Sequence, residues 1–382
     1  MKIGLVGKPN VGKSTFFRAA TLIDVKIANF PFTTIDPNVG FGFVRVECAE
    51  KFFNVKCNPR QGYCIDGNRF IPVELIDVAG LVPGAHEGRG MGNKFLDDLR
   101  QADALIHIVD ASGTTDAEGK DCEGGHDPLE DIKFLEDELN YWFLGLLEKN
   151  WKKMRAPKDV ATQLSGLKVS DDDVAVVIAK LSLPENVYQW DSSQKMDFVK
   201  TLRERVQPIL VAANKIDKPG AENYLPKLIE KGAVPCAADL ELALKSADKA
   251  GIIKYIPGDA EFHIIGEVSP KQKEALDKIQ ETLKKWGSTG VQTILNKAVF
   301  ETLGYLAIFP GGMKKLADKN GNVLPDAFLM PPKSTALDFA FRLHSDFGNN
   351  FICAYNVKTR LKVGKDYQIK NGDVMEIVSG RA

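Results

Sequence analysis

Four short apolar runs stand out in the first 215 residues: 3–6, 73–76, 104–109 and 209–213. Each is rich in aliphatic, often β-branched, side chains and is bounded by turn or polar residues. That texture predicts strands of a parallel sheet covered on both faces, with helices as crossovers. In open α/β sheets, ligands bind at the loops that leave the carboxyl ends of the strands.

Between the third and fourth runs lie about 100 residues, too many for one crossover. There, Leu129, Ile132, Leu135, Leu139, Trp142, Phe143 and Leu146 recur at intervals of mostly three and four, an apolar helical stripe. A second apolar stretch, 174–181, is too continuous for periodicity to choose between helix and strand. The reading is a helical insert over about 120–205, with the glycine-rich, acidic 119–125 as its mobile lead-in. After about 304 the texture changes to short alternating runs punctuated by Asn320-Gly321, Gly348-Asn349-Asn350 and Asn371-Gly372-Asp373. That predicts a small β-rich module.

Length and composition narrow the class. A chain of 382 residues holds two or three domains, and 44% apolar with 26% charged residues is globular rather than disordered. Net charge is −1, so the whole chain is not a polycation that coats nucleic acid. The last stretch is locally basic. Lys358, Arg360, Lys362, Lys365, Lys370 and Arg381 stand against Asp366, Asp373 and Glu376. The chain enters its first strand at once, with no room for a signal peptide, and no run approaches the roughly 18 apolar residues of a membrane span. The expectation is a cytoplasmic protein with no membrane contact and six reduced cysteines. Cys48, Cys57, Cys64 and Cys122 have no spacing typical of zinc sites, and a zinc site is not expected.

The chemistry sits at the strand ends. Gly7-Lys8-Pro9-Asn10-Val11-Gly12-Lys13-Ser14 is a complete G-x-x-x-x-G-K-S between a strand and a helix. Its glycines let successive backbone N–H groups turn toward one anion at a helix N-terminus, so Gly7, Pro9, Asn10, Val11, Gly12, Lys13, Ser14 and Thr15 are the expected nucleotide-binding residues. Lys13 then reaches the β- and γ-phosphates, and the Ser14 hydroxyl binds Mg²⁺. Asp77-Val78-Ala79-Gly80 places a carboxylate where it holds Mg²⁺ through water, and a Gly80 N–H where it senses a γ-phosphate. Asn214-Lys215-Ile216-Asp217 supplies a base reader. Asp217 accepts from the two donors on the edge of guanine, which adenine lacks, Lys215 lies along the base or phosphate loop, and Asn214 ties neighbouring loops.

These motifs, in this order, resemble the translation-factor class of P-loop GTPases. The segments 29–38 (NFPFTTIDPN) and 77–96, running through Gly88-Arg89-Gly90-Met91-Gly92-Asn93-Lys94, are similar to the YchF family, the Obg-like ATPases. Residues 336–340 and 372–376 resemble a TGS domain, a ubiquitin-like β-grasp module. The resemblance implies an α/β P-loop GTPase fold over 1–304, with the helical insert, and a TGS domain over 305–382. It implies that Ser14 and Thr34 bind Mg²⁺ directly with Asp77 in the outer shell, and that Ala237 offers its N–H to the base. It also implies ribosome or RNA contact through the TGS domain and the insert, and a monomer. ATP-preferring members lack the Asp of N-K-x-D; Asp217 is present, so GTP and GDP are expected rather than ATP.

Where many GTPases carry a water-orienting Gln, this chain has Leu81. A low intrinsic rate follows, with catalysis assigned to Lys13, Gly80 and His126, the last being the family's loop histidine. A K⁺ ion near Asn10 is the second candidate. The overall expectation is a slow GTP-hydrolysing switch. The rival readings are an ATP-preferring Obg-like ATPase, a small-molecule P-loop kinase, and a passive RNA- or ribosome-binding protein whose nucleotide site is structural.

Overall fold

The computed structural model describes residues 1–22, 38–78, 99–122 and 125–380. In chain order, the first elements are β1 (Lys2–Val6), α1 (Lys13–Thr21), β2 (Val39–Glu47), α2 (Ala49–Phe53), β3 (Tyr63–Ile65), β4 (Asn68–Asp77) and β5 (Ala104–Asp110). Next come α3 (Pro128–Glu148), α4 (Pro157–Gln163), α5 (Asp171–Leu181), α6 (Ser192–Val206), β6 (Ile209–Asn214), α7 (Ala221–Glu230), β7 (Val234–Pro235) and α8 (Ala238–Lys249). The later elements are β8 (Ile253–Tyr255), β9 (Phe262–Ile264), α9 (Pro270–Trp286), β10 (Leu306–Pro310), β11 (Phe328–Met330), α10 (Ala336–Leu343) and α11 (Ser345–Asn349). Three strands, β12 (Phe351–Asn356), β13 (Leu361–Val363) and β14 (Val374–Ser379), complete the chain. The described residues form two compact units, one within Met1–Ala20, Pro37–Gly40 and Glu74–Ile294, the other within Thr21–Asp36, Phe41–Val73 and Leu295–Ala382.

In the first unit, parallel strands run in the order β4-β1-β5-β6-β7. All seven residues of β5 are buried, which is why its sequence reads as one apolar run rather than an alternation. Register pairs Leu5 with Asp77, Val6 with His107 and Asp110 with Asn214, so the carboxyl ends of β4, β1, β5 and β6 lie side by side. The helical insert is built from α3 to α6. Asp127 caps α3 by accepting from the Leu129 N–H, with Pro128 at the first helical position. Phe143, Leu135, Leu139, Trp190 and Phe198 fill a core that packs on Val6, Ile76 and Leu105 of the sheet.

The ambiguous stretch 174–181 is helical, and the reason precedes it. Ser170 and Asp173 form a reciprocal capping box, three aspartates occupy the first turn and Lys180 the last, all favourable to the helix dipole. The segment at Gly119 is folded rather than loose. Thr115 bridges Asp121, and the Gly119 carbonyl accepts from Asn10 Nδ2 at 2.8 Å.

In the second unit, β3 and β4 form a hairpin with Cys64 opposite Arg69. A five-stranded sheet runs β11-β10-β14-β12-β13, with β10 and β14 parallel and the other pairs antiparallel. Helix α10, capped by Thr335 and Asp338, packs Phe339 and Ala340 inward, Phe339 lying in a core with Ile308, Ala354 and Met375. The Arg69 guanidinium, fully buried, donates to the Leu324 and Pro325 carbonyls at 3.1 and 2.9 Å. Among the described residues, no helix is long and apolar enough to cross a membrane.

Candidate nucleotide site

The phosphate loop is shaped by what it cannot hold. At Gly12, φ is +92° and a β-carbon would lie 2.4 Å from Asn214 Nδ2. Glycine satisfies both conditions. A β-carbon on Gly7 would lie 2.6 Å from the Ile108 carbonyl of β5. The Phe16 N–H donates to Gly12 O at 2.8 Å, which starts α1 directly after the loop. Ser14 is exposed on its first turn, with Thr15 half-buried beside it. Lys13 Nζ lies 2.6 Å from both Asp77 Oδ1 and the Val78 carbonyl. The lysine expected on the phosphates and the carboxylate expected near Mg²⁺ are thus within one ion pair of each other. The donor set of Ser14 hydroxyl and Asp77 carboxylate is hard oxygen, which fits Mg²⁺. Thr34 and Gly80 lie outside the described residues.

Asn214, at the end of β6, is the junction. Its Nδ2 donates to the Val11 carbonyl at 2.9 Å, and its Oδ1 accepts from the Ala238 N–H at 3.0 Å. One amide therefore ties the phosphate loop to the start of α8, as expected from the sequence. Lys215, in a left-handed conformation, is anchored by Asp110: Nζ lies 2.8 Å from its Oδ2. Asp110 also accepts from the Ser112 hydroxyl and N–H and from Thr114 and Thr115 hydroxyls. Burial alone would raise its pKa, but the Lys215 ammonium and the Ser112 donors outweigh burial and hold it below the usual carboxylate range. Asp217 is half-buried, with Lys218 Nζ 3.5 Å from its Oδ2.

The Ala237 N–H, which the resemblance assigns to the base, donates to the Thr289 carbonyl of the loop behind it at 2.9 Å. That rear loop is held by a buried carboxylate, Glu241, which accepts from Thr289 Oγ1 at 2.6 Å and Tyr255 Oη at 2.8 Å. Lys245 completes the cluster, 3.6 Å from Glu241, and donates to the Ala19 carbonyl of α1 at 2.7 Å.

His126 is brought towards the phosphate loop through one intermediary. Its Nε2 lies 2.8 Å from Asp131 Oδ1, and Asp131 Oδ2 lies 2.8 Å from Lys8 Nζ. Lys8 also donates to the Thr115 carbonyl at 2.9 Å. His107, fully buried nearby, has its pKa pushed down to about 3 by burial and by Lys8, so it is neutral at physiological pH.

Asp110, Asp131, Glu241 and Thr289 were not singled out from the sequence. A signal existed for the first: a strand-ending Asp followed by Ser112, Thr114 and Thr115, three hydroxyls poised to satisfy a buried carboxylate. Glu241 and Thr289 are 48 positions apart, so no local spacing joins them.

Asp110→Asn should therefore cost about 2–4 kcal/mol of stability at pH 7, since Lys215 loses its buried partner. A carboxylate with a depressed folded pKa stabilises above its unfolded pKa and loses that contribution as pH falls through the folded value. Denaturant unfolding of both proteins should show the gap narrowing below about pH 4. A gap that is constant with pH would mean that the charge is not what stabilises.

Comparison with known proteins bears on this geometry. Residues 2–134 match the model of the 50S ribosome-binding GTPase family. Residues 212–311 match the G4 motif-containing domain of the YGR210-like Obg-like GTPases, and 320–379 match the TGS domain. A GTP-binding protein of Methanocaldococcus jannaschii (MJ1332) is 48% identical, over 99% of this chain and 98% of its own. The Bacillus subtilis ribosome-binding ATPase YchF is 28% identical, over 97% of each chain. The crystal structure of a GTP-binding protein from Pyrococcus horikoshii OT3 superposes with a TM-score of 0.77 at 37% identity, covering all of both chains. Phosphate loop, strand-end Asp77, the N-K-x-D segment and a C-terminal TGS module thus occur together in a chain that is a member of the YchF/Obg-like family of P-loop GTPases.

Proposed function

We propose that this chain binds GTP and GDP and acts as a slow, ribosome-linked GTPase switch. The observation that carries the guanine reading is Asn214. Its amide ties the Val11 carbonyl of the phosphate loop to the Ala238 N–H, and Asp217 follows it by three residues on the turn that leaves β6. Asp217 then accepts from the N1–H and 2-amino donors of guanine, and adenine would leave it unpaired.

Toward the phosphates, Lys13 exchanges its Asp77 contact for the β- and γ-phosphate oxygens, and backbone donors from Gly7 to Thr15 fix their position. Ser14, Thr34 and Asp77 would hold Mg²⁺, which when bound neutralises charge on the phosphate oxygens. The Gly80 N–H is assigned to the γ-phosphate. With Leu81 unable to orient water, His126 is assigned that role. Its Nε2 is held by Asp131, so Nδ1 is the nitrogen to which the water is assigned. Asn10 is the alternative support: its Nδ2 is spent on Gly119, leaving Oδ1 as a donor for K⁺.

Ribosome or RNA contact is assigned to the TGS half, taken as 305–382 against a G domain of 1–304 with its insert over about 120–205. Arg360, Lys362, Lys365 and Lys370 are exposed there, whereas Asp373 is buried against Asn356. With Asp366 as the exposed carboxylate among them, these four cations leave the solvent-facing side of the stretch basic. The name of the Bacillus subtilis relative agrees with this assignment. A cytoplasmic monomer is part of the same proposal.

Calorimetric titration tests base choice. GTP and GDP should bind at least about a hundredfold more tightly than ATP and ADP, and Asp217→Ala should erode the difference. Equal or tighter ATP binding by the intact chain would instead favour the ATPase reading. Turnover assays test the switch. Added ribosomes should raise GTP hydrolysis, and Arg360→Glu with Lys362→Glu should abolish that rise, more readily at higher salt. His126→Ala should lower kcat with nucleotide affinity nearly unchanged. No stimulation, or none lost on charge reversal, removes the TGS assignment; an unchanged kcat moves catalysis to K⁺ at Asn10.

A further inference from the structure

Far from the phosphate loop in sequence, the second unit gathers four side chains that the nucleotide chemistry does not use. Cys48 follows β2, Glu50 lies on α2, Cys57 sits in the loop beyond, and Cys64 is on β3. One ligand atom from each lies within 4.8 Å of all the others. Cys48 Sγ and Cys57 Sγ are 3.7 Å apart, and Cys64 Sγ is 3.3 Å from Glu50 Oε1.

The two shortest of these separations match edges of a tetrahedron around one metal ion. Zn–S bonds of about 2.3 Å and Zn–O bonds of about 2.0 Å put two sulfurs about 3.8 Å apart and a sulfur and an oxygen about 3.5 Å apart. The second carboxylate oxygen is not idle. Glu50 Oε2 accepts from the Cys57 N–H at 2.8 Å, which leaves Oε1 facing the sulfurs. Fixing a ligand through its other polar atom is how outer-shell contacts set metal geometry. Cys48, Glu50 and Cys57 are 1%, 5% and 6% exposed. Arg69 adds charge compensation: paired opposite Cys64 in the hairpin, it brings Nη1 to 3.7 Å from Cys57 Sγ.

We propose that Cys48, Glu50, Cys57 and Cys64 form a structural Zn²⁺ site that staples the 48–64 segment to the hairpin. The three sulfurs select a thiophilic metal, and the hard carboxylate favours Zn²⁺ over Cu(I). All four tetrahedral positions are supplied by protein, and three of the four ligands are buried, so the site has no open position for a substrate. The sequence concealed it because the spacing, C-x-E-x₆-C-x₆-C, matches no common finger; the chain's own hairpin and the turn of α2 close the ring. Cys122 belongs elsewhere: its Sγ faces the Gly113 carbonyl at 3.4 Å.

The full chain, purified under reducing conditions from Zn²⁺-supplemented medium, should carry roughly one zinc by elemental analysis. Co²⁺ exchanged into it should give thiolate charge-transfer bands and the strong visible bands of a tetrahedral centre. Cys57→Ser and Cys64→Ser should weaken Zn²⁺ binding more than about a hundredfold, Glu50→Gln about tenfold or more, and Cys122→Ser not at all. Circular dichroism and a cooperative melting transition report whether each variant is folded. For the unaltered chain, chelation should lower the melting temperature and added Zn²⁺ should restore it. A zinc content near zero after Zn²⁺ loading, or metal content unaltered in folded Cys64→Ser, would overturn the site. A mass two hydrogens light, mapped to a Cys48–Cys57 disulfide in protein purified under reducing conditions, would overturn it too.

Discussion

The nucleotide half of this protein depends on one side-chain amide. Asn214 spans the gap between the phosphate-loop carbonyl of Val11 and the N–H of Ala238, and Gly12 has no side chain because the amide occupies that space. A backbone carbonyl and a backbone N–H buried at a strand end would each cost free energy if unpaired. Asn is suited to this position because it offers a donor and an acceptor on one short planar group; Asp would lack the donor. The phosphate loop and the start of α8 are therefore mechanically joined.

Around that junction the loops are held by buried carboxylates rather than by apolar packing. Asp110 collects Lys215, Ser112, Thr114 and Thr115; Glu241 collects Thr289, Tyr255 and Lys245; Asp131 links Lys8 to His126. Loops at sheet ends expose too little apolar surface to be fixed by burial alone, whereas a satisfied buried charge specifies one geometry at the cost of desolvation. Burial moves these groups in the sense expected, lowering Lys245 and raising Tyr255.

The parts of the fold with a period or a fixed spacing were legible in the sequence. The buried strands, the α3 stripe and the phosphate loop all have local signatures, and each appears where it was expected. The helix at 171–181 was ambiguous only because its apolar run was read without the Ser170 capping box before it. Ala237 fell on the expected loop, yet its N–H turns to Thr289, a residue 52 positions on that no motif connects to it. Cys48, Cys57 and Cys64 were named together from the sequence, but with Cys122 in place of Glu50 and with no zinc expected from their spacing. Those three cysteines and Glu50, at a strand end, on a helix turn, in a loop and in a hairpin, converge through tertiary structure, and linear spacing carries no trace of that.

The joined-site account is tested most directly with a ligand that has no base. Inorganic triphosphate with Mg²⁺ should bind the unaltered chain and Asp217→Ala alike, because the role proposed for Asp217 is at the base alone. Asn214→Ala should weaken that binding by about tenfold or more, as the Val11 carbonyl loses its partner and the loop loosens. If Asn214→Ala binds triphosphate as well as the unaltered chain, the phosphate loop stands without its amide clamp, and the central claim is wrong.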